Sequence, residues 1–132
     1  GMLNMPGSAT YGVTKSAIIS YADFLAMTYG SRGLGIHCLC PQAVSTPLAL
    51  DSCEYVDRLT DNGLTGKFME PKELGIKTLD ALQSGTHLIS THHQAISDQI
   101  HQKYQHNDEY VKGTQQMHDD CMLGLFIEGF YE

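Results

Sequence analysis

The chain has 132 residues, enough to bury a core as one domain or part of one. Apolar residues make up 42% and charged residues 17%, the balance of a soluble globular chain, with a formal net charge of −7. That acidity excludes nucleic acid as an expected partner, because nothing here neutralises a phosphate backbone.

No basic cluster exceeds two residues, so an anionic membrane surface is not an expected partner either. No run reaches the roughly 18 apolar residues of a spanning helix, and no basic segment precedes an apolar one at the N-terminus. The expected location is the cytoplasm. The four cysteines, Cys38, Cys40, Cys53 and Cys121, then read as reduced thiols.

Residues 8–29 predict the first helix. Ser8 or Thr10 is the candidate N-cap, the body carries Ala17, Ile18, Ile19, Ala22, Phe24, Leu25 and Ala26, and Gly30 suits a left-handed stop. The apolar residues occupy more than one face, as in a helix covered on both sides. Tyr11 and Lys15, four apart, lie one above the other on a single face. A lysine ammonium beside a phenol favours phenolate and lowers a pKa that starts at about 10. A tyrosine tuned that way exchanges a proton with an alcohol or carbonyl oxygen near neutral pH. The competing reading is an exposed tyrosine beside an exposed lysine, and the spacing alone does not choose.

"LGIHCLC" (34–40) is a short apolar run ended by Pro41, which suits a buried strand of a parallel sheet. Helix, glycine turn and strand form the second half of a βαβ unit. Cys38 and Cys40 share a strand face on either side of Leu39. With no second Cys/His pair at matching spacing, they read as small buried apolar residues rather than a zinc pair.

"PQAVSTPLAL" (41–50) is a loop, 49–60 a short helix and "TDNGLTGK" (60–67) a turn. A helix follows over 71–84, with Pro71 at its first position, an apolar stripe of Leu74, Ile76, Leu79 and Leu82, and Gly85 as its stop. "THLIST" (86–91) is a second strand. From 92 to about 123 the chain is polar, reading as one or two surface helices on which His92, His93, His101, His106 and His118 are solvated. No HExxH is present, and position 97 is a serine. The tail "MLGLFIEGFYE" (122–132) reads as a packing or contact segment. Two strands make a sheet too narrow to stand alone, so the expectation is the back half of an α/β fold.

The stretch "GSATYGVTKSAIISYADFLAMTYGSRGLGIHCLCPQAVSTPLA" resembles the active-site helix, following strand and cofactor loop of the short-chain dehydrogenase/reductase family. There YxxxK precedes a small residue and a long apolar helix, and the next strand ends in a P-G-x-V/I-x-T loop. Here that loop is Pro41-Gln42-Ala43-Val44-Ser45-Thr46, at the family's distance from the lysine. "ALQSGTHLISTHHQ" is similar to the last strand in a subset of these enzymes.

The resemblance implies the C-terminal half of a Rossmann-like doubly wound parallel sheet, with the N-terminal nucleotide-binding βαβ units missing. It implies one partial domain over 1–132, family-like over 8–91 and extended by helices over 92–132. The chemistry implied is NAD- or NADP-dependent interconversion of a small-molecule carbonyl and alcohol. Tyr11 would be the general acid/base and would also contact the cofactor. Lys15 would lower the Tyr11 pKa and hydrogen-bond the nicotinamide ribose. Pro41, Gln42, Val44 and Thr46 would form the nicotinamide loop, with the Val44 backbone and Thr46 hydroxyl meeting the carboxamide. Helix 8–29 is of the kind the family buries in a four-helix dimer interface, which implies a homo-oligomer.

The departures are equally specific. The family's T-G-x-x-x-G-x-G phosphate motif is absent. "GSRGLG" (30–35) does not replace it: its spacing is G-x-x-G-x-G, and it lies where no helix N-terminus faces a pyrophosphate. Gly30 reads as a helix stop, and Gly33 and Gly35 as turn residues. The family's active-site serine would fall ahead of Gly1 and its asparagine further upstream, and Ser8 is too close to Tyr11 to serve. Gln42 stands where the family usually has glycine. Weak or no NAD(P) affinity is therefore expected of this chain, and the alternative is a non-catalytic remnant that only associates.

Overall fold

The computed structural model describes residues 1–4, 6, 9–50, 68–91 and 94–127. The expected Ser8 cap, the 51–60 part of the short helix, the 60–67 turn, Cys53, His92, His93 and residues 128–132 lie outside the described residues. The chain is mixed α/β and mostly helical, with a small parallel sheet of two strands among the described residues.

In chain order the elements are α1 (Ala9–Tyr29), a 3-10 turn (Gly30–Arg32), β1 (Cys38–Cys40), α2 (Pro47–Leu50), α3 (Pro71–Gln83), β2 (Leu88–Ser90), α4 (Gln94–Gln105) and α5 (Asn107–Ile127). Thr10 sits inside the first turn of α1, so it is not the cap. Gly30 is not the left-handed stop either. The chain tightens into the 3-10 turn for three residues, and Gly33 takes the positive φ of 82° while its N–H donates to the Gly30 carbonyl at 3.1 Å. The end of α3 follows expectation: Gly85 has φ 72°. Its N–H donates to the Leu82 carbonyl and the Thr86 N–H to the Ala81 carbonyl, the paired bonds of a Schellman stop.

β1 and β2 pair in parallel, Cys38 opposite Leu88, Leu39 opposite Ile89 and Cys40 opposite Ser90. The alternation is that of a strand with one covered face: Cys38 is buried and Leu39 exposed. Both cysteines are free thiols. Burial first, and then Cys38 beside it, push the Cys40 thiol up to about 11, which keeps it protonated and unreactive at neutral pH. The buried apolar residues described are Cys38, Met69, Ile89 and Ile96, with Cys38 and Ile89 on opposite faces of the sheet. α4 and α5 pack on each other. Residues 1–4 join them to α1: the Ser16 hydroxyl donates to the Gly1 carbonyl, Lys103 Nζ to the Met2 carbonyl at 2.7 Å, and the Tyr110 hydroxyl to the Asn4 carbonyl.

The expectation that α1 is covered on both sides is not met. Gly12 is its buried residue, while Val13, Tyr21, Phe24 and Met27 are 70%, 62%, 52% and 79% exposed. These residues follow helical spacing along one face. A two-stranded sheet supplies too little surface to cover both sides of a 21-residue helix. No described helix is long and apolar enough to cross a membrane.

Candidate functional site

Two close approaches place α1. Asp23, in its second half, meets His87 at the entry to β2, with Oδ1 and Nε2 2.9 Å apart. Lys15, eight residues earlier, packs its backbone on Gly1, where an added Cβ would lie 2.6 Å from the Lys15 carbonyl oxygen. The second half of α1 thus lies beside the entry to β2, while Tyr11 and Lys15 stand in its first half.

Tyr11 and Lys15 occupy the first two turns of α1, and Tyr11 is 59% exposed. Lys15 Nζ lies over the Tyr11 ring, 5.3 Å from its centroid, in cation–π contact. The spacing has thus brought the two side chains together, with the ammonium on the ring face. The loop after β1 leaves from the carboxyl end of the sheet. Pro41 is exposed and Gln42 buried. The Gln42 N–H donates to Thr91 Oγ1 at 3.1 Å, and both residues are over nine-tenths buried.

Val44 pairs with Met69 as a parallel bridge. The bonds of that bridge run from the Ser45 N–H to the Met69 carbonyl and from the Met69 N–H to the Ala43 carbonyl, both 2.9 Å. They use the groups on either side of Val44, which turns Val44's own N–H and carbonyl to the opposite edge. Thr46 caps α2: its hydroxyl oxygen accepts from the Ala49 N–H at 3.3 Å, and its carbonyl accepts from the same group at 3.0 Å.

The sequence reading had no route to Thr91 and Met69. They lie 49 and 25 positions from their partners, and only folding brings them to the loop. Nor did it single out His87 and Asp23, 64 positions apart. "GSRGLG" forms the 3-10 turn and the left-handed Gly33 ahead of β1, and no helix starts there to receive a phosphate. Among the described residues, no group of three or more His, Cys, Asp or Glu side chains is placed to hold a metal ion.

No family model matches the chain. No solved structure matches it. Over 48 residues it is 38% identical to Oxidoreductase UcpA of Escherichia coli (strain K12) and 35% identical to Oxidoreductase UcpA of Salmonella typhimurium. Each match takes in 36% of this chain and 18% of the relative, so the chain is similar to a minor part of those proteins. One segment of it is thus similar to part of an oxidoreductase.

Proposed function

We propose that the chain carries the proton-transfer and nicotinamide-facing part of an NAD- or NADP-dependent oxidoreductase that interconverts a carbonyl and an alcohol. In this reading it belongs to a short-chain dehydrogenase/reductase, within a wider doubly wound sheet. The observation that supports it best is the contact of Lys15 Nζ with the Tyr11 ring at 5.3 Å from its centroid.

The residues present suit the nicotinamide end of such a cofactor. Val44 turns one backbone donor and one acceptor to a common edge, the complement of a carboxamide. The Thr46 hydroxyl accepts from α2 and has its own proton to give to the carboxamide oxygen. Met69 and Thr91 hold the loop that carries them. A bound NAD(P) supplies the hydride chemistry. Tyr11 holds or releases the proton at the substrate oxygen through its phenol, with the Lys15 ammonium over its ring. The residues described provide no glycine cradle for a pyrophosphate.

Calorimetric titration of the chain with NADH and NADPH checks this division. The expected result is dissociation at millimolar concentration or no heat at all, and submillimolar binding would contradict it.

A second reading is favoured by the exposed face of α1. The chain then acts as an associating module that pairs through Val13, Tyr21, Phe24 and Met27. The stack of Tyr21 on Phe24, 6.3 Å between ring centroids, is the centre of that face. Phe24→Glu is expected to convert a dimer into a monomer in sedimentation velocity, because a carboxylate would be buried unpaired. An unchanged sedimentation coefficient would remove α1 from the interface.

A further inference from the structure

His87 sits just before β2 with both ring nitrogens facing acceptors. Nδ1 lies 2.8 Å from the Ile36 carbonyl oxygen and Nε2 2.9 Å from Asp23 Oδ1. Neither a backbone carbonyl nor a carboxylate donates, so both contacts are hydrogen bonds only when the ring carries two protons. His37, its neighbour across the strand entries, differs: its Nδ1 meets the Thr86 carbonyl at 2.6 Å, a contact that one N–H satisfies in either charge state. The two histidines thus make reciprocal bonds, each to the carbonyl preceding the other, and only His87 reaches on to α1.

We infer that the His87 ring is a proton-operated latch. Doubly protonated, it ties the middle of α1 and the entry to β1 onto β2 at once. With a single proton it keeps only one of these ties and sets a lone pair against the other acceptor. The device is independent of whether the chain binds a cofactor.

The groups around it agree. From α1 the charged group facing the ring is Asp23. Along β1 stand His37, Cys38 and Cys40, and the Cys40 thiol is held protonated. On the α3 side, Lys77 and Asp80 line the cleft that Thr86 and Leu88 share, and Lys77 is already paired with Glu73 at 3.0 Å. The hydrogen bond from Asp23 first, then that from the Ile36 carbonyl, raise the His87 pKa above its ordinary 6.5. A folded-state value above the unfolded one stabilises fully below 6.5, and that contribution is lost as pH rises through the folded value. The latch therefore closes in mild acid and opens on the alkaline side.

The test is a nitrogen-15 NMR titration of the imidazoles in the intact chain, with His87→Gln identifying the resonance. Both His87 nitrogens are expected to carry protons at about pH 6, with a midpoint above 6.5 that falls in Asp23→Asn. Amide exchange over residues 18–26, corrected for intrinsic rates, is expected to speed several-fold from about pH 6 to about pH 8.5, and to lose that dependence in Asp23→Asn. A singly protonated His87 at about pH 6 would overturn the inference. So would pH-independent exchange in α1.

Discussion

On the function proposed, Tyr11→Phe is expected to slow NAD(P)H-dependent carbonyl reduction by about 10²–10⁴-fold, the usual worth of a positioned general acid. The measurement is initial rate at millimolar cofactor with an aldehyde or ketone. The substitution removes one hydroxyl from a side chain that is already 59% exposed, so it leaves no cavity. The ring that lies 5.3 Å from Lys15 Nζ is kept. A loss of rate in this variant therefore reports the missing proton and not a damaged fold. Lys15→Met makes the complementary case: it removes the ammonium that lies over the Tyr11 ring and the donor that would meet the ribose, so rate and apparent affinity should fall together. A Tyr11→Phe chain with wild-type turnover would remove the phenol from the chemistry, and the associating reading would stand in its place.

Ile89→Ala is expected to cost about 2–5 kcal/mol of folding stability. Urea unfolding, with the midpoint lowered and the slope unchanged, reads it directly. Ile89 is 4% exposed and sits in the middle of β2 opposite Leu39. Its loss leaves a void on the covered side of β2, and among the described residues no side chain is fully buried to share the load. A domain stability of about 5–15 kcal/mol would be cut by a large fraction. Ile76→Ala removes the same atoms from a side chain 54% exposed on α3. It is expected to stay within about 0.5 kcal/mol of the parent. Equal losses at the two positions would mean that the small sheet is not the centre of the fold.

The difference between what was legible along the chain and what was not has one physical origin. Periodicity, caps and breakers act within a few residues, so α1, α3, both strands and the Schellman stop at Gly85 could be read from their own segments. Local reading erred where two local solutions compete. Gly30 and Gly33 can each end a helix, and the intervening 3-10 turn gave the left-handed position to Gly33. It also erred where burial depends on distant surface. The apolar residues of α1 look like a doubly covered helix, yet the two strands described leave Tyr21, Phe24 and Met27 exposed.

The amino-acid sequence by itself determined the pairing of Tyr11 with Lys15, because a separation of four residues on a helix leaves no other geometry. It also determined the order of helix, strand and proline-led loop that gives the pair its chemical reading. Only the tertiary structure decided what holds the loop. It alone brought Thr91 and Met69 to the loop and joined His87 to Asp23. Those contacts close chain loops of tens of residues, and no local pattern encodes which distant partner repays the closure.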